Sequence, residues 1–305
     1  MAENILTGSA SWTDKSLIAC GRFYPPGCNT AEARLKFYAT QFPLVEVDSS
    51  FYGMPTPGNS QLWVARTPDD FTFNVKAFRL FTGHTAAPSA LHRDLQDALG
   101  PQAPASLRYP DLPAEIRDEL WRRFIEALAP LRSAGKLGAV HFQFSPSVTQ
   151  SAAGHGLIEH CAERMAGHLL SVEFRHRSWF SDEDKTDATL ALLRRLQLVH
   201  TVVDAPQGFA NTVPGVWDVT NPNLALVRLH GRNAAKWNHR GPASSGRFDY
   251  WYSADELAAM VPEIEHLATQ ARQVHVVFNT NNENQGQLHA RMLRELLRHG
   301  RGHTG

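Results

Sequence analysis

The chain repeats one unit from end to end: a short apolar segment followed, in most cases, by a stretch with helical periodicity. Most units span roughly 30 residues. The predicted strands are residues 5–9, 44–48, 71–76, 139–144, 169–174, 198–204, 224–231 and 274–279. The predicted helices are residues 30–41, 61–67, 112–131, 158–165, 182–197, 253–271 and a last one ending near 299. The connection 206–223 is predicted to be a loop.

Regular alternation of strands and helices predicts a parallel sheet. Eight such units in 305 residues fit a (β/α)₈ TIM barrel better than an open doubly wound sheet. We therefore predict an α/β fold in which residues 1–305 form a single domain. Residues 85–111 carry several prolines and little periodicity, and we interpret them as an insertion after the third strand that forms a lid over one end of the fold.

Charge and motifs exclude several classes of function. Lys and Arg number 30, and so do Asp and Glu, so net charge gives no case for nucleic acid or anionic membranes. No Gly-rich dinucleotide motif or P-loop follows a strand. The three cysteines lack metal or disulfide spacing, and no apolar run approaches the roughly 20 residues of a membrane span. With no signal peptide at the N-terminus, we expect a cytoplasmic protein and no membrane partner.

Apolar and polar residues alternate along the predicted fifth strand. Val172 and Phe174 fall on one face, and Glu173 and Arg175 fall on the other. If the second face points inward, a carboxylate and a guanidinium enter the fold, where each needs a partner or a function. Polar residues also end the other predicted strands, and parallel barrels carry their active sites at the strand C-termini. These residues are Glu46, Asp48, Lys76, Gln143, Glu173, Arg175, His176, Asp204, Arg228, His230 and Asn279.

We assign these residues two kinds of role. The predicted catalytic residues, which would transfer protons, are Glu46, Glu173, His230 and Asp204. The predicted ligand-binding residues are Lys76, Arg175, His176, Arg228, Gln143, Asn279, Trp12 and Tyr52. No metal ligands and no cofactor are assigned.

Structural alternatives stand beside several of these assignments. Arg175 and Arg228 are equally suited to forming ion pairs that stabilise the barrel. Glu173 and Lys76 are also suited to forming a buried ion pair with each other. Asp204, which precedes a proline by two residues, is equally suited to capping a turn. Trp12 and Tyr52 are suited either to a pocket wall or to the core. Three histidines inside strands are left as core or outer-face residues: His141, His200 and His275.

Seven short stretches of the chain resemble one known family, domain of unknown function 72, also called YecE-like. They are Gly8–Trp12, Phe23–Gly27, Val45–Tyr52, Phe73–Lys76, Val172–Trp179, Val227–Arg232 and Val277–Asn281, which occur in this order. The resemblance implies a TIM barrel with one polar pocket at the strand C-termini and implies no activity. Asp48 stands where members often carry Asn, and Gly83 separates Thr82 from His84 where members more often read Thr-His directly.

Three functional hypotheses follow. The first is an enzyme without a metal that acts on a small anionic ligand, because Arg and Lys suit carboxylate and phosphate oxygens. The second is a divalent-metal enzyme, such as a phosphodiesterase or sugar isomerase, with Glu46, Glu173, Asp204 and His230 as ligands. The third is a non-catalytic barrel that binds a ligand or nucleic acid. Its mixture of basic and aromatic residues comprises Trp237, Arg240, Arg247, Tyr250 and Trp251.

Overall fold

The computed structural model describes residues 4–238 and 246–299, and its centre is a closed barrel of eight parallel strands. Each strand pairs with the next, and β8 pairs with β1 to close the ring. The strands are β1 Ile5–Ala10, β2 Leu44–Val47, β3 Thr72–Lys76, β4 Leu137–Gln143, β5 Leu170–Glu173, β6 Val199–Asp204, β7 Ala225–Leu229 and β8 Val274–Phe278. The predicted (β/α)₈ barrel is confirmed.

The helices surround the barrel. They are α1 Lys15–Ala19, α2 Ala31–Gln41, α3 Pro57–Ala65, α4 Arg93–Leu99, α5 Ala114–Ser133, α6 Ala152–Arg164, α7 Glu183–Arg195, α8 Ala254–Ala258, α9 Val261–Gln270 and α10 Gln285–His299. Residues 206–223, all of which are described, contain no helix, as predicted.

Three helix predictions were wrong at their boundaries. Helix α6 begins at Ala152, six residues before the predicted start at 158, where the Ser151 side chain caps it. Helix α3 begins at Pro57, four residues before the predicted start, because Thr56 caps it and proline suits the first helical position. The predicted helix 253–271 is two helices, α8 and α9, with Pro262 in the first turn of the second. Ser253 and Glu256 form a capping box at the start of α8.

The barrel interior changes character along its axis. A separate apolar cluster fills its N-terminal part, with Leu44, Ala139, Val199, Leu226 and Val277 among its members. These positions alternate with residues that pack outward against the helices, as the period of two requires. The C-terminal part of the interior, called the mouth below, holds the polar side chains described in the next section.

The insertion 85–111 lies against the helices beside the barrel. Trp121 of α5 donates a hydrogen bond to the Tyr109 hydroxyl over 2.7 Å, and Arg123 of α5 forms an ion pair with Asp94 of α4. His160 of α6 contacts the same hydroxyl at 2.9 Å. These contacts explain how the segment is held, and its predicted role as a lid stays a prediction. Within the described ranges, no helix combines the length and apolar character that crossing a membrane requires.

Candidate functional site

Three strands place an ion triad inside the mouth. Glu46 is on β2, Glu173 ends β5 and Arg228 is on β7, and their side chains have no exposed surface. Arg228 donates from Nη2 to Glu46 Oε1 over 2.6 Å and from Nη1 to Glu173 Oε2. A guanidinium thus joins two carboxylates that are 127 positions apart in the sequence. Because buried charges need such pairing, the triad fixes the relative positions of three strands.

Glu173 is the centre of a larger network. Its Oε1 accepts hydrogen bonds from Gln143 over 2.6 Å, from His230 over 3.0 Å and from Arg175 over 3.3 Å. His141 Nε2 lies 3.3 Å from its Oε2. Burial raises the pKa of the Glu173 carboxyl, but Arg228 and His230 outweigh that effect and hold it well below its ordinary value. Glu173 is therefore an anion that binds several donors at once.

His230 is neutral and its tautomer is determined by its neighbours. Burial lowers its pKa to about 3, although Glu173 opposes the shift. Its Nε2 lies 3.0 Å from a Glu173 oxygen, which can only accept, so Nε2 carries the proton. Its Nδ1 then accepts from the Asn279 amide over 2.9 Å. Both ring nitrogens are engaged, and His230 orients the Asn279 side chain.

Arg228 matches the bracing alternative and not the predicted ligand-binding role. Its side chain has no exposed surface and does not line a cavity at the mouth. The predicted pair of Glu173 with Lys76 was wrong, since Lys76 donates to Asp48 over 2.8 Å and Glu173 pairs with Arg228. Burial raises the pKa of the Asp48 carboxyl, but Lys76 outweighs that effect and lowers it below its ordinary value.

Above this network lies a cavity of about 200 Å³, called the mouth cavity below. Its lining residues are Asp48, Phe51, Tyr52, Lys76, Arg79, His84, Gln143, Arg175, Arg247, Phe248, Asn279 and Asn281. Five of the predicted ligand-binding residues are therefore in place: Lys76, Arg175, Gln143, Asn279 and Tyr52. None of residues 85–111 is among the lining residues. Glu173 and His230 lie directly beneath its floor, in contact with Gln143, Arg175 and Asn279.

The mouth cavity is cationic. Lys76, Arg79, Arg175 and Arg247 line it, and Asp48 is the single carboxylate among its lining residues. Within residues 4–238 and 246–299, neither Arg79 nor Arg247 forms an ion pair with a carboxylate. Even when Glu46, Glu173 and Arg228 beneath the floor are included, positive side chains outnumber negative ones.

The aromatic walls of the cavity hold two of these cations. The Lys76 ammonium lies 4.4 Å from the centre of the Phe51 ring, and the Arg79 guanidinium lies 5.3 Å from the same centre. The Arg175 guanidinium lies 5.0 Å from the centre of the Trp237 ring. Cation–π contacts of this kind hold a positive group without neutralising its charge.

Asp204 is separate from this network. It accepts hydrogen bonds from Arg232, including one of 2.8 Å from Nη2, and one of 2.5 Å from the Tyr252 hydroxyl. It lines a different, open cavity of about 600 Å³ with Arg232 and Trp217. The structure thus places this predicted catalytic residue in an ion pair beside the mouth cavity and not in its wall.

His176 and Trp12 are also outside the mouth cavity. The ring of His176 accepts the backbone N–H of Ser178 over 3.2 Å and so caps the helical turn Arg177–Phe180. Trp12 is buried among core aromatics, 5.9 Å from Trp63 and 6.3 Å from Phe73 between ring centres. For Trp12 the core alternative matches the structure.

Sequence reasoning missed His141 and Arg79. His141 stands two residues before Gln143 on β4, so the period of two puts both side chains on the inner face. Extending the parity argument from Gln143 to His141 would have found it. Arg79 follows β3 in the helical turn Arg79–Thr82, and no periodic pattern marks it.

The residues of the nucleic-acid hypothesis do not form one exposed face. Trp237 is buried, Tyr250 is half-buried and donates to Glu256, and Arg247 lines the mouth cavity. Trp251 alone of its described aromatics is largely exposed, at 53%. Arg240 lies outside the described residues.

The donor set does not favour the metal alternative. In the described part of the chain, no three His, Cys, Asp or Glu side chains converge as metal ligands. An oxygen of Glu46 and an oxygen of Glu173 already accept hydrogen bonds from Arg228, which fills the space between the two carboxylates. Asp204, the third proposed carboxylate ligand, is bound to Arg232.

Comparison with known proteins places the chain among relatives of the same length. Residues 6–304 match the family described as "Protein of unknown function DUF72". The UPF0759 protein YunF of Bacillus subtilis (strain 168) is 30% identical over 296 residues, which cover 96% of this chain and 94% of that protein. A DUF72 family protein from Enterococcus faecalis V583 has a TM-score of 0.78 and 26% identity, over 96% of this chain and 95% of its own. Another from Thermotoga maritima MSB8, with a TM-score of 0.74 and 24% identity over 96% and 99%, has the same fold.

Proposed function

The chain belongs to the DUF72 family of proteins of unknown function, and we propose that its mouth cavity binds a small anionic ligand on which it acts as an enzyme. The ligand carries a carboxylate or phosphate group. The observation that carries this proposal is the charge of the cavity wall, where four cationic side chains face one carboxylate. Lys76 and Arg175 have carboxylate partners, but Arg79 and Arg247 pair with no described carboxylate, so the wall keeps a net positive charge. Such a wall attracts anions, because the dielectric constant in a cavity is lower than in water.

The cavity wall provides positive charge and hydrogen-bond donors whose orientations are fixed. Arg175 has one guanidinium N–H fixed on Glu173 over 3.3 Å, so its orientation is constrained. Gln143 and Asn279 are held in the same way, by Glu173 and His230 respectively. Preoriented donors lose little entropy when a ligand binds. In this proposal Glu173 and His230 are positioning residues beneath the floor.

The dimensions limit the ligand to a small molecule. A volume of about 200 Å³ is below the range of roughly 300–1,000 Å³ typical of drug-sized ligand sites. The rings of Phe51, Tyr52 and Phe248 form the apolar part of the lining. They suit a ligand whose anionic group has a short apolar body.

Proton transfer on this ligand falls to Asp48, whose carboxylate lines the cavity and is ionised because Lys76 lowers its pKa. It can accept a proton from a bound molecule, and the Lys76 ammonium, 2.8 Å away, stabilises the negative charge. This role replaces the one predicted for Glu46, whose side chain is fully buried beneath the floor and bound to Arg228.

Isothermal titration calorimetry with inorganic phosphate at low ionic strength tests the proposal. We expect saturable binding that weakens as salt increases. Replacing the two arginines that pair with no described carboxylate, Arg79→Gln with Arg247→Gln, should weaken it by about 100-fold or more, since each charge-assisted hydrogen bond contributes about 1.5–3 kcal/mol.

The control is Arg195→Gln, which removes one positive charge from α7, where Arg195 pairs with Glu159 on the surface. Its phosphate affinity should equal that of the unmodified protein. Equal losses in the control and the double variant would show a general charge effect, and phosphate binding that survives Arg79→Gln with Arg247→Gln would refute the site.

A further inference from the structure

His84 gives the cationic mouth cavity one fixed hydrogen-bond acceptor. We propose that its Nε2 atom accepts a hydrogen bond from the ligand, so that the site selects an anion that carries its own O–H group over one that is fully deprotonated. This inference rests on the proposed function, since it specifies which anions the same cavity binds.

The ring proton of His84 is assigned to Nδ1. The Thr82 hydroxyl oxygen lies 3.0 Å from the Arg79 carbonyl oxygen, which can only accept, and 3.0 Å from His84 Nδ1. When the single hydroxyl proton goes to the carbonyl, the hydroxyl oxygen accepts the proton of Nδ1. This arrangement leaves the lone pair on Nε2, which the nearby Lys76, Arg79 and Arg175 cations favour. Thr82 is fully buried, which keeps this arrangement away from water.

The lone pair of Nε2 is available to a ligand. His84 lines the mouth cavity and is partly exposed, and in the described residues its Nε2 has no hydrogen-bond partner. Its ring packs edge-on against Phe51, with 5.0 Å between ring centres. Burial lowers its pKa to about 3, and Lys76, Arg79 and Arg175 act in the same direction. The imidazole is thus neutral at physiological pH.

A single hydrogen-bond acceptor in a wall of hydrogen-bond donors restricts which ligands the cavity binds. Lys76, Arg79, Arg175 and Arg247 all offer protons, which any oxyanion can accept. An oxygen lone pair that faces Nε2 leaves both atoms without a hydrogen bond, and such unsatisfied polar groups are costly when enclosed. A ligand O–H beside the anionic centre removes this cost. Sites built around such a bond reject analogues that lack the proton.

Phosphate and sulfate test the inference because they have the same shape and differ in protonation. At pH 7 phosphate retains at least one O–H, whereas sulfate has none. Sulfate carries at least as much negative charge, so charge alone cannot make it the weaker ligand. We expect calorimetric titration to give a phosphate affinity about 10- to 100-fold higher than the sulfate affinity, the range expected for one unsatisfied buried group.

The variant His84→Phe keeps an aromatic ring beside Phe51 and removes the acceptor. It should bind sulfate at least as tightly as the unmodified protein does and bind phosphate at least tenfold more weakly. Arg195→Gln is again the control and should keep the full preference for phosphate. If the unmodified protein binds sulfate as tightly as phosphate, the selectivity is refuted while the anion site stands. If neither anion binds, the proposed function itself fails.

Nitrogen NMR of the unmodified protein gives a second measurement that needs no variant to fold. The His84 ring should be the neutral tautomer protonated on Nδ1, and its Nε2 resonance should shift on addition of phosphate and not of sulfate. An Nε2-protonated ring, or equal shifts with both anions, would overturn the proposal.

Discussion

Arg228 is the residue on which the interior of the mouth depends. Its guanidinium joins Glu46 and Glu173 with no exposed surface on any of the three side chains. The pair energies offset a large desolvation cost, so the triad is more important for geometry than for net stability. Removing the cation alone leaves two buried carboxylates without their partner.

We therefore predict that Arg228→Met lowers the free energy of unfolding by about 3–5 kcal/mol, as is typical when one member of a buried ion pair is removed. Guanidinium unfolding followed by tryptophan fluorescence measures it. The control Arg195→Met breaks the exposed pair with Glu159 and should cost about 1 kcal/mol or less. A loss no larger for Arg228→Met than for this control would contradict the account.

At the residue scale, the sequence predicted which side chains share a strand face, because successive residues of a strand point to opposite faces. Parity placed Glu173 and Phe174 on opposite faces of β5, and both are buried. The contact of Glu173 with Arg228 inside the barrel shows that its face is the inner one. Parity does not say which partner a charge meets. A pair of Lys76 with Glu173 was the structural alternative to ligand binding, but the Lys76 ammonium reaches Asp48, which lies beyond the end of β2. That choice depends on register between strands, which no local pattern encodes.

At the scale of secondary-structure elements, β1 and β2 approach each other closely at Gly8. Gly8 is paired with Leu44, and a Cβ atom on Gly8 would lie 2.0 Å from the Leu44 carbonyl oxygen. Backbone atoms cannot move aside as a flexible side chain can. The first strand thus needs glycine at this point to complete the ring.

Gly8→Ala should therefore destabilise the protein by roughly 2–4 kcal/mol, within the range of severe steric substitutions. The comparison is Gly156→Ala inside α6, where an added Cβ meets nothing within 4 Å. That change should be neutral or stabilising by up to about 1 kcal/mol, because alanine favours helix. Thermal unfolding of the two variants checks this, and equal melting temperatures would be inconsistent with a close strand contact.

The positions of the strands and helices were predicted better than the residues at which they begin and end. All eight strands lie where the apolar segments predicted them, since strands buried on both faces are apolar throughout. Helix α3 begins before its predicted start because Thr56 caps it and Pro57 suits the first helical position, although Pro55-Thr56-Pro57-Gly58 is also typical of a turn. The two interpretations use the same residues, and only packing distinguishes them.

The whole molecule buries several neutral histidines. Burial lowers the pKa of His230 and His275 to about 3 and that of His200 to about 4, from an ordinary value of 6.5. The unfolded chain therefore binds more protons than the folded one below pH 6.5, and stability must fall as pH falls toward those folded values. Each such histidine contributes a slope of up to about 1.4 kcal/mol per pH unit.

Guanidinium unfolding at pH 8, 7, 6 and 5 should give a free energy that is nearly constant from pH 8 to 7 and then decreases. Glu173, whose pKa is held below the ordinary 4.5, adds a loss only at still lower pH, so this range isolates the histidines. The variant His200→Gln should reduce the slope of the unfolding free energy against pH by the contribution of one histidine, up to about 1.4 kcal/mol per pH unit. Equal stability at pH 5 and pH 7 would contradict neutral burial.

The barrel as a whole gathers Lys76, Arg79, Arg175 and Arg247 from three parts of the chain into one wall. The sequence predicted that ring closure would bring polar side chains together at the strand C-termini. Four of its assigned residues, Glu46, Glu173, Arg228 and His230, lie beneath the cavity, and three others, Asp204, His176 and Trp12, lie beside it. They follow strands or loops as the others do, but their side chains are bound to neighbours beside it.

The most direct test of the cationic mouth cavity is a crystal of the protein soaked in arsenate, a phosphate analogue that is located by its anomalous scattering. We predict a peak inside the cavity, within hydrogen-bond distance of Arg175 and Arg79. Anomalous peaks confined to the outer surface, with none in the cavity, would contradict the account.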